Sequence, residues 1–219
     1  MNLYTLTTSQ DNCNNFLASG ELVEKKSKFI ANIYHVQTQE QAEEILKETR
    51  KKYYDARHNC YAYSILTKNG IINKMSDDGE PSGTAGAPIL NIITKNEITN
   101  ILVIVTRYFG GVLLGTGGLV KAYSEATIKA LENAKMANEE LGFEVKLVTT
   151  YSELEKVRYY CEKNKICIET IEYDEKANLV VEVNKKEKET LQKIIDEGKI
   201  NVEKIDVIKE KNIRKNLDI

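Results

Sequence analysis

Three observations predict an α+β chain of two domains. Across the 219 residues, apolar runs of strand length are interleaved with amphipathic stretches of helical period. The aromatic and glycine motifs stop near residue 138, and a β-α-β-β-α-β order, the ferredoxin-like split βαβ arrangement, begins after it. The domains are therefore placed at 1–138 and 139–219, each large enough to bury a core.

In the first domain, residues 21–34 begin polar and then alternate Phe29, Ala31 and Ile33 against Ile30, Asn32 and Tyr34, so their second half reads as a strand. Thr38 and Gln41 have capping-box spacing. Behind them Ala42, Ile45, Leu46, Thr49 and Tyr53 repeat at helical intervals, which predicts a helix over about 39–53. Residues 56–66 read as a strand, closed by the Lys68-Asn69-Gly70 turn, and 71–75 pair back as a hairpin. Glycines and a proline exclude regular structure over 76–83, and a helix follows from Thr84 with Pro88 in its first turn. The run Ile101-Leu102-Val103-Ile104-Val105 predicts a strand buried on both faces. After a glycine-rich loop, Leu119, Tyr123, Ala126, Ala130 and Ala134 share one helix face, with Lys121, Glu125 and Lys129 on another.

In the second domain, 143–149 read as a strand. Ser152 and Glu155 signal a capped helix with Leu154, Val157 and Cys161 inward. Residues 166–173 and 179–183 form a hairpin, Asn184 caps a helix carrying Leu191, Ile194 and Ile195 that Gly198 ends, and 200–207 supply the last strand.

The formal charge is −2 at pH 7, so any nucleic-acid contact needs a local patch. Cys13, Cys60, Cys161 and Cys167 form no CxxC pair and read as reduced thiols. His35 and His58 are the only histidines, which argues against zinc. No stretch reaches the ~18 apolar residues of a membrane helix, and the N-terminus lacks a signal-peptide pattern; the expectation is a cytoplasmic protein without membrane contact.

Two loops concentrate the chemistry, and they are expected to face each other. The first follows the apolar strand. Arg107 and Tyr108 lead into Gly110, Gly111, Gly115, Thr116, Gly117 and Gly118, and the helix behind carries Lys121. Free amides, a helix start and two cations favour an anion. The spacing excludes a Walker A motif, because Thr116-Gly117 follows Gly115, and it lacks the third glycine of GxGxxG. The competing reading is that these glycines only permit a tight passage and close packing. In the second loop, Asp77, Asp78 and Glu80, helped by Ser82 or Thr84, could ligate Mg²⁺ or could cap backbone amides. Capping weighs more for a lone Asp-Asp-Gly-Glu. Ser82 and Thr84 lack a His/Asp partner set for nucleophilic catalysis. Lys28, Arg57, His58 and Asn59 are candidate polar contacts, and no cofactor is expected.

At these loops the sequence resembles the YigZ/IMPACT family. The resemblance is carried by Lys25-Lys26-Ser27-Lys28-Phe29-Ile30-Ala31, Arg57-His58-Asn59-Cys60-Tyr61-Ala62-Tyr63, residues 76–88, and Val105-Thr106-Arg107-Tyr108-Phe109-Gly110-Gly111 through Ala122-Tyr123-Ser124. It implies an N-terminal α+β domain shared with elongation factor G domain IV and a small-subunit ribosomal protein, and a C-terminal domain similar to domain V of that factor. Eukaryotic members add an RWD domain and regulate translation through the starvation-response kinase pathway; that partner-binding role is not expected to carry over to this sequence. For the bacterial branch the resemblance implies nucleic-acid binding linked to translation. The expected function is a translation-associated regulator that binds RNA or the ribosome through the glycine-loop anion site, with protein partners in the translation machinery. The alternative is a metal-dependent enzyme acting on a phosphate-bearing small molecule through Asp77, Asp78 and Glu80.

Overall fold

The structure, a computed structural model, describes residues 5–7, 15–67 and 69–216. Cys13 and Lys68 lie outside the described residues. Contacts group the chain into two compact units that divide after Asn138.

The first unit contains β1 (Thr5–Thr7), β2 (Phe16–Glu24), β3 (Ser27–His35), α1 (Gln39–Lys52), β4 (His58–Thr67), β5 (Gly70–Ser76), α2 (Gly86–Lys95), β6 (Ile101–Tyr108) and α3 (Gly115–Glu132). Its antiparallel sheet has the order β2-β3-β6-β4-β5. The apolar run lies in β6 at the centre of the sheet. Ile101, Val103 and Val105 pack with Ile89, Ile93, Leu119 and Tyr123 of α2 and α3. Leu102 and Ile104 pack on the other face with Ala42 and Leu46 of α1. Alternation along one strand thus builds two cores.

The polar start of 21–34 hides a separate strand. β2 joins β3 through Lys25 and Lys26 at φ 45° and 66°, a two-residue turn of positive φ that usually recruits Asn-Gly. Lysines give no sequence warning of it. α1 begins as expected, since the Thr38 side chain accepts from Gln41 N at 3.2 Å.

The strand β7 (Lys135–Thr149) starts in the first unit and enters the second at Glu139; the second unit also contains α4 (Tyr151–Lys163), β8 (Cys167–Tyr173), β9 (Ala177–Asn184), α5 (Lys185–Asp196) and β10 (Lys204–Asn216) up to Lys215. The sheet order β8-β9-β7-β10 is that of the ferredoxin-like fold; within the first unit, residues 135–137 of β7 pair with β1. Asn184 and Glu187 form a complete capping box on α5. The box expected from Ser152 and Glu155 does not form. Thr150 is the N-cap of α4, without a side-chain cap, and Glu155 pairs with Arg158 at 2.9 Å. Cys60 and Cys161 are free and buried. Cys167 is disulfide-bonded, which corrects the reduced-thiol expectation there; the lack of a local CxxC pair does not bear on pairing between distant positions.

Candidate functional site

The acidic loop leaves β5 and turns back into α2. Asp77 Oδ2 accepts from Gly83 N at 2.8 Å, and its Oδ1 accepts from Ala85 N at 2.9 Å and Gly86 N at 2.8 Å. One carboxylate therefore caps a helix that begins nine residues later. Burial pushes the Asp77 carboxyl up, but the amides of Gly83, Gly86 and Ala85 outweigh it and hold the pKa below the usual value. Asp78 Oδ2 accepts from Asn59 N at 2.7 Å and its Oδ1 from Arg50 Nη2 at 2.9 Å. Thr84 is buried and donates to Pro81 O at 2.6 Å, while Ser82 is exposed.

Glu80 joins this loop to the glycine-rich stretch. Its Oε1 accepts from Arg107 Nη1 at 2.6 Å and from Tyr123 OH at 2.9 Å, and His58 Nε2 lies 3.9 Å away. The side chains of Glu80 and Arg107 are only 3% and 6% exposed. The guanidinium lies near the rings of Phe29 and Phe109, 5.4 and 5.6 Å from their centroids, and Nη2 donates to Ser27 Oγ at 3.4 Å. Arg107 is thus committed to an internal ion pair and is not the open anion ligand expected from its place at the strand end.

The three carboxylates do not converge on open space, as a Mg²⁺ site would require. Amide hydrogens occupy Asp77, an amide and Arg50 occupy Asp78, and Arg107 and a phenol occupy Glu80. Donors directed at these oxygens repel a cation. No group of three His, Cys, Asp or Glu among the described residues could hold a metal ion.

Around this pair the polar atoms are largely satisfied. Cys60 Sγ donates to Asp77 O at 2.9 Å and lies 3.3 Å from Tyr123 OH. Burial pushes the Cys60 thiol up to about 12, so it is no thiolate at neutral pH. The Tyr123 phenol is also pushed up, chiefly by burial and then by Cys60 and Glu80. His58 Nδ1 donates to Asp78 O at 2.8 Å, and Asn59 Oδ1 accepts from Thr106 Oγ1 at 2.8 Å. Lys28 pairs with Glu21 at 3.0 Å, and exposed Arg57 lies over the Phe109 ring.

The glycine stretch divides by role. A Cβ on Gly110 would stand 2.0 Å from the Lys26 carbonyl carbon, so that glycine serves close packing against the β2–β3 turn. Gly111 and Gly115 have positive φ. Gly117 differs: a Cβ there meets nothing within 4 Å, and its φ is not in the left-handed region. It lies in the first turn of the 18-residue α3, whose N-cap Leu114 provides no side-chain hydrogen bond and whose first turn has no acidic residue. The amides at this helix start therefore face outward beside exposed Thr116, with Gly118 half-buried. Lys121 is exposed and lines a cavity of about 60 Å³ with Lys25, Glu24 and Glu125. Leu113 at the loop tip is 83% exposed, and Phe109 and Val112 are also exposed. Tyr108 OH donates to Asp55 Oδ1 at 2.9 Å.

Ser27, Cys60 and Tyr123 complete the buried cluster, and only their distant partners reveal that role. A second feature outside the two loops has a signal in the sequence. Lys47, Arg50, Lys51 and Lys52 run into Tyr53-Tyr54, cations interleaved with aromatics at the end of α1.

Comparison with known proteins places these features in a wider group. Residues 25–131 match the Impact N-terminal domain, and 147–197 match a domain of unknown function, DUF1949. The IMPACT family member YvyE of Bacillus subtilis is 36% identical over 170 residues, covering 78% of this chain and 77% of the relative. The IMPACT family member YigZ of Escherichia coli is 43% identical over 108 residues, 49% of this chain and 53% of the relative. Among solved structures, that of a hypothetical protein matches 95% of this chain and 99% of its own, at 30% identity and a TM-score of 0.55.

Proposed function

The chain belongs to the IMPACT family, and on that premise we propose that it is a translation-associated regulatory protein that binds RNA or the ribosome at the glycine loop and the start of α3. The observation that carries this reading is the uncapped, outward-facing beginning of α3. A long helix leaves several amides without partners at its N-terminus, and its dipole makes that end attractive to an anion. Proteins usually close such an end with Ser, Asp or Glu; here glycines keep it bare, and Gly117 has no packing reason to be glycine. Lys121 adds a cation one to two turns on. The exposed tip with Phe109, Val112 and Leu113 offers apolar contact to bases or to a protein of the translation machinery.

Gly117→Asp tests this directly. It places a carboxylate over the amides in open space, so the fold is kept or slightly stabilised while an incoming phosphate is repelled. Anisotropy titrations with RNA and sedimentation with ribosomes should show binding that weakens with salt, lost about tenfold or more in Gly117→Asp, with the log–log salt slope reduced by roughly 0.7 in Lys121→Ala. Wild-type protein that binds neither RNA nor ribosomes in a salt-dependent way would remove the proposal.

A further inference from the structure

The glycine-loop cavity does not hold an excess of positive charge, since Lys25 and Lys121 there are matched by Glu24 and Glu125. The excess lies elsewhere on the same unit. A groove of about 650 Å³ runs between the end of α1 and the β4–β5 edge, lined by Lys47, Arg50, Lys51 and Lys74 against one acid, Glu43. Arg50 is held by Asp78 at 2.9 Å and Lys74 lies 3.5 Å from Glu43. Lys47 and Lys51 are exposed and pair with no carboxylate among the described residues. Tyr61 lines the groove and is nearly buried, whereas Tyr54 stands 84% exposed at its edge.

A structural explanation covers part of this pattern. Arg50, Lys51 and Lys52 occupy the last turn of α1, where cations stabilise the helix end. It does not cover Lys47, a turn earlier, or Lys74, which comes from β5. Nor does it explain why a tyrosine ring is left open to solvent beside four cations. Beyond the Tyr54 end of the groove, Asp55 accepts from Tyr108, and Arg57 lies 5.7 Å from the centroid of the Phe109 ring. An open aromatic ring, Tyr54, beside a track of cations matches what unpaired nucleotides require. A base stacks on the ring and phosphates lie along the lysines, whereas a duplex keeps its base faces covered.

Resting on the RNA-binding reading above, we propose that this groove is the bed of a single-stranded RNA segment, with Tyr54 as a base-stacking platform and Lys47 and Lys51 as phosphate contacts. The RNA path then runs from Tyr54 past Phe109 to the start of α3. The glycine loop receives one end of the strand rather than the whole ligand.

The test uses the full chain and a labelled single-stranded RNA of about 12 nucleotides, with the same sequence as a duplex for comparison. All three side chains are exposed, so the variants should melt like wild type. Tyr54→Ala should weaken single-strand binding about 5- to 100-fold and Tyr54→Phe should restore it, with little change for the duplex. Lys47→Ala with Lys51→Ala should flatten the log–log salt slope by roughly 1.4, two phosphates at about 0.7 each. Wild type that binds RNA while these variants keep its affinity and slope would overturn the groove assignment and leave the helix-start reading standing. Wild type without salt-dependent binding overturns both. If polyglutamate binds, is lost in the double lysine variant and is indifferent to Tyr54→Ala, the groove takes an acidic peptide and the RNA assignment falls.

Discussion

Arg107 shows how a side chain can look like a ligand in sequence and act as a structural member in the fold. It ends an apolar strand just before a glycine loop, the position of many phosphate-binding arginines. Glu80, 27 residues upstream, claims it instead. Removing one partner of a buried ion pair leaves the other charge unpaired, a cost of roughly 3–5 kcal/mol. Arg107→Ala and Glu80→Ala should each fall in that range by denaturant titration. Arg107→Met with Glu80→Leu should cost less than the sum of the corresponding single changes, because neither charge is then stranded. Loss of RNA binding in Arg107→Ala would accordingly report unfolding and not a lost phosphate contact. The pairing was illegible because nothing at either position names the other. Asp77 was half legible: the capping reading chosen for the loop describes its role, but the amides it accepts from become identifiable only once the loop closes on α2.

At the level of elements, legibility followed how local the determinants are. β6 is evident because an unbroken apolar run has few other uses, and α5 because its Asn184 cap, its apolar Leu191, Ile194 and Ile195 and its Gly198 stop all lie in one short stretch. β2 was missed because its turn is made of lysines, and the α4 cap was misplaced because Ser152 and Glu155 mimic a box inside the helix. The sheet of the second unit carries a charge cluster that single-strand patterns could not reveal. Lys211 of β10 lies 2.5 Å from both Glu169 of β8 and Glu182 of β9, and Lys209 lies 3.1 Å from Glu144 of β7. Burial, then the hydrogen bond with Glu169, pushes Glu182 up to about 7. A carboxyl whose folded pKa exceeds its unfolded value binds more protons when folded, so its contribution falls as pH rises from about 4.5 to about 7. Glu182→Gln should therefore flatten the pH dependence of this unit across that window. At pH 8 it should raise the melting temperature, by roughly 4–8 °C if the gain is about 1 kcal/mol after allowing for solvent screening. An unchanged profile would show that Lys211 neutralises the cluster throughout.

For the whole molecule, the two units bury separate hydrophobic clusters, with Ile89 and Ile93 in one and Val157 and Leu191 in the other. Calorimetry of the full chain should therefore resolve two transitions. Leu191→Ala, at a fully buried position, should cost about 2–5 kcal/mol and lower one of them, while Ile89→Ala lowers the other. That assignment gives the functional reading a sharper test than affinity alone. The helix start and the α1 groove both lie in the first unit, and a ligand stabilises only what it binds, by about 2.7 kcal/mol at one hundred times its Kd. Single-stranded RNA at that excess should raise the transition sensitive to Ile89→Ala and leave the Leu191-sensitive one in place. The shift should disappear in Gly117→Asp and shrink in Tyr54→Ala. A shift confined to the Leu191-sensitive transition would move RNA binding to the second unit and remove both the glycine loop and the α1 groove from the site.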